Sequence, residues 1–207
     1  MPAKIDFKKT MKELYQPSAK EPVLVDVPEM QFLMIDGIGS PGEAQEYFDA
    51  IGVLYPVAFK IKFMSKGKGK DYVVPPLEGL WWADDMNDFI EANRDKWKWT
   101  MMIMQPDWIT QEIFNEAKKS ALEKKPELSA AISKVRFEKY NEGKCAQIMH
   151  IGPYSEEHPT IMKLHEYIEK LGGKFDGHIR KHHEIYLSDP RKAHPTTMKT
   201  VIRQPFI

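Results

Sequence analysis

A single cysteine, Cys145, stands among 207 residues. The chain therefore holds no internal disulfide and no metal site built from several thiolates. Cys145 lies in an apolar stretch without a neighbouring base, which reads as a core residue rather than a nucleophile. Charge of one sign is also lacking. Lysine plus arginine number 30 and aspartate plus glutamate number 30, so no net field draws nucleic acid or anionic lipid, and direct nucleic-acid binding is not expected. No run approaches the roughly 18 apolar residues of a membrane span, and Met1-Pro2-Ala3-Lys4-Ile5-Asp6 has no secretory apolar core. The expectation is a soluble cytoplasmic protein that does not enter a membrane.

The marked enzyme motifs are absent too. There is no HExxH, no GxSxG elbow, no dinucleotide fingerprint and no kinase pattern. The run Lys66-Gly67-Lys68-Gly69-Lys70 lacks the lysine-serine/threonine ending of a phosphate loop and reads as a solvated turn. His178, His182 and His183 lie close together, but on a strand His182 and His183 point to opposite faces and cannot share one metal. Neither a metal nor a cofactor is expected.

What is present is patterned apolar sequence. Met30 to Ile38 is a mostly apolar run ending in glycines, which suits a strand. Ser40-Pro41-Gly42-Glu43 reads as a capping box opening a helix with Ala44, Phe48, Ile51 and Tyr55 on one face, and Pro56 is expected to kink or end it. Pro75-Pro76 mark Tyr72 to Trp82 as an edge or bulged strand. Trp97, Trp99, Met101 and Ile103 alternate with Lys98 and Thr100, which predicts a half-buried strand. After Gln105-Pro106-Asp107, Ile109, Ile113, Ala117 and Ala121 recur at helical spacing. Phe7, Met11 and Leu14 predict a short docked helix within a flanking segment, residues 1–22.

The last third repeats the first. Cys145 to Pro153 is again an apolar strand ending in glycine and proline. Ser155 is placed to cap a helix whose Ile161, Leu164, Ile168 and Leu171 face inward, and Gly172-Gly173 closes it. Residues 30–55 and 147–172 thus predict equivalent units, and the fold class is α+β, with two pseudo-symmetric β-α-β-β repeats and a ligand cleft between them. The domain so formed spans residues 23–207.

In His182-His183-Glu184-Ile185-Tyr186-Leu187, alternation sets Ile185 and Leu187 against a helix layer and turns Glu184 and Tyr186 the other way. Glu184 is then either a surface acid or, if its face lines a cleft, a ligand anchor or general base. Trp81, Trp82, Trp97, Trp99, Tyr55, Tyr154 and Tyr186 cluster in strands and turns as candidate stacking platforms for planar or cationic ligands.

Glu184-Ile185-Tyr186-Leu187-Ser188-Asp189-Pro190, the closing strand Lys199 to Pro205, and the turns His150-Ile151-Gly152-Pro153-Tyr154 and Asp36-Gly37-Ile38-Gly39 resemble the GyrI-like small-molecule-binding proteins over roughly residues 25–207. The resemblance implies a twofold-repeated α+β fold, an aromatic-lined cleft, and a glutamate at its base, here Glu184, meeting cationic or aromatic compounds. Tyr154 and Tyr186 carry over with the motif. Unlike the transcription-factor members, the chain has no DNA-binding helical region ahead of the domain. Lys8 to Pro22, Leu80-Trp81-Trp82, Trp97 and Trp99 resemble a stand-alone subgroup associated with hydrolysis of cyclopropane-bearing, DNA-alkylating compounds. Two functions follow from that resemblance, a detoxifying hydrolase or a non-catalytic binder that sequesters xenobiotics or signals to a partner.

Overall fold

The computed structural model describes residues 4–85, 87–91 and 93–207. Two short helices, α1 (Phe7–Thr10) and α2 (Lys12–Tyr15), precede strands β1 (Val23–Val27) and β2 (Met30–Ile38). There follow α3 (Gln45–Gly67), β3 (Leu77–Trp82), α4 (Asn87–Ile90), β4 (Lys98–Gln105), α5 (Gln111–Lys124), α6 (Ser129–Lys134) and β5 (Arg136–Tyr140). The chain ends with β6 (Gly143–Ile151), α7 (His158–Lys170), β7 (His182–Tyr186) and β8 (Lys199–Pro205).

All eight strands form one antiparallel sheet in the order β1-β6-β8-β7-β3-β4-β2-β5. The sheet must curl. Only Pro28-Glu29 separate β1 from β2, yet those strands stand first and seventh in the sheet. In a flat sheet they would be about 29 Å apart, whereas the connector reaches at most about 11 Å. Asn141-Glu142 impose the same closure between β5 and β6.

The order also reads as two equivalent halves about an axis between β7 and β3. Val23, Met30 and Gln45 open β1, β2 and α3 as Arg136, Gly143 and His158 open β5, β6 and α7. Gly39 and Gly152, both at positive φ, turn the chain out of β2 and β6. The repeated unit is therefore ββαββ, one strand longer than the sequence pattern suggests, and Met30 corresponds to Gly143 rather than to Gln147.

Several local expectations are corrected. Gly42 takes φ +82, which interrupts helical geometry, so α3 starts after Ala44 and Ser40 does not cap it. Pro56 does not end α3, which runs through it to Gly67. The residue its ring crowds is Gly52, whose orphaned carbonyl instead accepts from Lys125 Nζ at 3.5 Å. Pro75 and Pro76 lie just ahead of β3, which is bonded on both sides and is central, not an edge. β4 is covered on both faces, since Thr100, Met102 and Met104 are buried. Ser155 lies in a 3-10 turn before α7, and Leu171 faces solvent at the helix end.

The two sheet faces have different cover. Leu33, Ile35, Leu77, Trp81, Trp99, Met101 and Ile103 pack on Val53, Leu54, Val57 and Ile61 of α3, with α5 behind. Ala146, Ile148 and Ile202 pack on Leu164 and Ile168 of α7. The opposite face carries Phe32, Met34, Leu80, Met102 and Met104 in one half, and Val27, Cys145, Met149, Ile185 and Val201 in the other. Met11 and Met30 touch both of these clusters, so this is the concave face. Leu14 and Tyr15 fill it. Ile185 thus packs on the N-terminal segment, while Glu184 and Tyr186 share the helix-bearing face, the reverse of the expected assignment. The alternation itself holds.

Buried charges lie on the concave face as well. His183 bonds Glu142 (2.9 Å) and Glu78 (3.0 Å), Arg203 bonds Glu142 (3.1 Å) and the Leu14 carbonyl (2.7 Å), and Tyr15 donates to Glu78 (3.3 Å).

Candidate functional site

The sheet face between α3 and α7 has its floor at the pseudo-twofold axis, where Leu77, Gly79 and Trp81 of β3 stand opposite Tyr186, Glu184 and His182 of β7. Glycine at 79 is required here. A Cβ would lie 2.8 Å from Trp81 Nε1 and 3.0 Å from Tyr186 Oη, and its absence lets those two groups meet above β3. Trp81 Nε1 donates to Tyr186 Oη at 2.9 Å, and Tyr186 Oη donates to Glu184 Oε2 at 2.8 Å. His182 Nε2 lies 3.1 Å from Glu184 Oε1, and Gln204 Nε2 lies 3.1 Å from His182 Nδ1. Burial, reinforced by the Glu184 charge, raises the Tyr186 phenol well above its usual pKa.

Aromatic rings continue from this floor. Trp81 is 6.4 Å from Tyr47 of α3 and 6.2 Å, edge-on, from Trp97, which stacks on Phe89 at 4.7 Å. Tyr154, in the turn before α7, meets Tyr186 edge-on at 5.8 Å. Burial and then Glu184 push the Tyr154 phenol up to about 12 and raise that of Tyr47. Tyr55 is half-buried on α3, and burial followed by the charge of Asp189 raises its phenol.

A second acid stands at the start of α7. Glu157 is 5% exposed, and its Oε1 has no hydrogen-bond partner among the described residues. Burial, with the nearby Glu184 carboxylate adding to it, pushes its pKa up to about 9, while the Thr200 hydroxyl acts the other way. Burial and the neighbouring acid thus favour the neutral, proton-bearing form of Glu157, beside a Glu184 whose two oxygens each lie within hydrogen-bond distance of His182 or Tyr186.

Of the residues singled out in the sequence, the structure brings Glu184, Tyr186, Trp81, Trp97 and Tyr154 into one array, with Tyr55 on the flanking helix, and within that array Trp81 is itself buried, at 5% exposed. Two do not reach the groove. Trp99 is 0% exposed under α3, its ring against Gly37 and its Nε1 donating to the Gly39 carbonyl. Trp82 points to the concave face, with Lys181 Nζ 3.5 Å from its ring centre. Tyr47, Glu157 and the Gln204-His182 pair escaped the sequence reading. Glu157 had one signal. Aligning Gly39 with Gly152 sets it against Ala44, an acid replacing a methyl in otherwise equivalent turns. Among the described residues no group of three or more His, Cys, Asp or Glu is placed to hold a metal ion, and no helix is long and apolar enough to cross a membrane.

Comparison with known proteins places this geometry among relatives. The family model for the GyrI-like small molecule binding domain matches residues 20–205. An uncharacterized conserved protein from Listeria innocua is 45% identical with a TM-score of 0.89, and a protein described as a hydrolase from Listeria innocua is 46% identical with a TM-score of 0.86. Each alignment covers 99% of this chain and 100% of the other. The EcmrR C-terminal domain, 12% identical, has a TM-score of 0.57 over 90% of this chain and 97% of its own, and shares the fold alone. No curated protein matches.

Proposed function

The chain belongs to the GyrI-like small molecule binding domain family, and from that premise we propose that the groove binds planar aromatic compounds and hydrolyses electrophilic ones that carry a strained cyclopropane. The observation that carries this reading is the pairing of Glu184 with Glu157 beside the Trp81-Trp97-Tyr47 array. Stacking fixes a flat ligand in one plane, so the groups at the rim act on a defined carbon. Glu184 takes a proton from water as the water oxygen bonds to the ring carbon. The cyclopropane C–C bond breaks, its electron pair moves onto the conjugated carbonyl oxygen, and Glu157 gives that oxygen its proton. Water is consumed, and the proton gained by Glu184 replaces, through solvent, the one Glu157 gave up. The hydrolase description of the Listeria relative supports a hydrolytic reaction, and the chemistry would remove a DNA-alkylating compound.

The test is mass spectrometry of a cyclopropane-bearing alkylator incubated with substoichiometric protein. A product heavier by one water, formed over many turnovers, is expected. Glu184→Gln, which keeps the shape and removes the base, should slow turnover by about 10²–10⁴-fold with affinity changed only a few-fold. Tight binding without any water adduct would reject hydrolysis and leave a protein that sequesters its ligand.

A further inference from the structure

Glu184 is held from both sides, and the His182 side is itself held. A carboxylate presents only acceptors, so the His182 nitrogen 3.1 Å from Glu184 Oε1 must carry the proton. The other ring nitrogen then decides whether the imidazole is neutral or charged. It faces Gln204 Nε2 at 3.1 Å, and an amide NH2 can only donate, so in this orientation of the amide it meets Nδ1 as an acceptor. Gln204 is fully buried, and its Oε1 has no partner. Turned end for end, the same amide would present that oxygen and suit a charged ring. The groups around the ring and the acid are Tyr47 from α3, Tyr154, Glu157 and His165 from the turn and α7, and Tyr186 on β7 itself.

The repeat supplies an independent observation. His182 and Gln204 form a register pair of β7 and β8, and the corresponding pair of β3 and β4 is Leu77 and Ile103, likewise in register. Two aliphatic side chains in one half are thus replaced by a bonded polar pair in the other, and only in the half that bears the acid. Packing alone does not call for that replacement, because Leu77 and Ile103 fill the same place in the first half.

We propose that His182 and Gln204 are positioning residues for Glu184, with Gln204 bonded to the far nitrogen of the imidazole whose Nε2 donates to the carboxylate and so aims its remaining lone pairs into the groove. The inference rests on Glu184 being the polar contact of the ligand. It does not require that the ligand be hydrolysed.

The test uses the full chain with 15N-labelled histidine, and His182→Gln identifies the resonance. The expected spectrum shows His182 protonated at Nε2 and bare at Nδ1, with Gln204→Leu leaving Nε2 protonated and Nδ1 free to take up a second proton. In parallel, ethidium, a planar cation, should bind His182→Phe about tenfold more weakly than wild type, the scale of one hydrogen bond to a charged group. Acridone, planar and neutral, should bind both alike, and His182→Gln, which keeps a donor, should restore ethidium binding. A proton on Nδ1 in the wild type, an Nδ1 signal indifferent to Gln204→Leu, or equal loss of ethidium and acridone would overturn the proposal. Absence of turnover alongside the expected spectra and affinities would end the hydrolase reading and leave this one standing.

Discussion

Glu157 and Glu184 are the same residue type in one groove, and their surroundings set them apart. Glu184 has two donors on its oxygens, while Glu157 has a buried oxygen with none and a carboxylate for a neighbour. If Glu157 supplies the proton, activity should hold through neutral pH and fall as pH rises through about 9, where that proton is lost. Glu157→Gln cannot ionise, so its remaining activity should show no such fall, and a pH-rate profile of both proteins checks this. Alternation along β7 and β3 made Glu184, Tyr186 and Trp81 legible, because it states which side chains share a face. It does not state what covers them. Trp99 stands directly opposite Trp81 in register, on the same face, and is sealed under α3. Glu157 lies in an irregular turn, where no periodicity exists to mark it.

Elements were placed well where local pattern decided and badly where a distant residue did. Strands β2, β4, β6, β7 and β8 and helix α5 follow from alternation and helical spacing, whereas α3 continues through Pro56, with Lys125, at the end of α5, taking up the Gly52 carbonyl. No window of sequence around Pro56 contains that lysine. The concave network among β3, β6, β7 and β8 was equally hidden, since His183, Glu78 and Arg203 each look like an isolated charge in a strand. Its energetics are testable. His183 is raised to about 9 by the carboxylates of Glu142 and Glu78, against the opposing effect of burial. Its stabilisation is therefore complete below the ordinary histidine pKa and is lost as pH rises through about 9. Glu142 is held down to about 2 by His183 and Arg203, again against burial, so its contribution is present above the ordinary carboxylate range and is lost as pH falls through about 2. Denaturant midpoints should accordingly plateau between about pH 4.5 and 6.5 and fall on both sides. Arg203→Met leaves Glu142 with His183 as its remaining ionic partner and takes the Arg203 donor from the Leu14 carbonyl, and should cost about 3–5 kcal/mol in urea unfolding. A loss under about 1 kcal/mol would mean that the network is hydrated.

In the whole molecule, each half covers the exposed strand edge of the other, because β1 pairs with β6 and β5 with β2. A half on its own would leave the edge of β2 or β6 bare, and the leading strand of an identical copy would fit it. The single chain is thus organised as a strand-swapped homodimer made covalent. A groove on a true twofold axis has identical walls, so an acid placed on one wall appears on both. In one chain the two walls are free to differ, and Glu157 occupies the position equivalent to Ala44 and His182 that equivalent to Leu77. Cutting the chain after Lys125, between α5 and α6, should leave the halves interdependent. Neither fragment alone should unfold cooperatively, and mixing them should restore both a single sharp transition and the ligand groove. A fragment that folded as a stable monomer would show that a half does not need the strand the other half lends it.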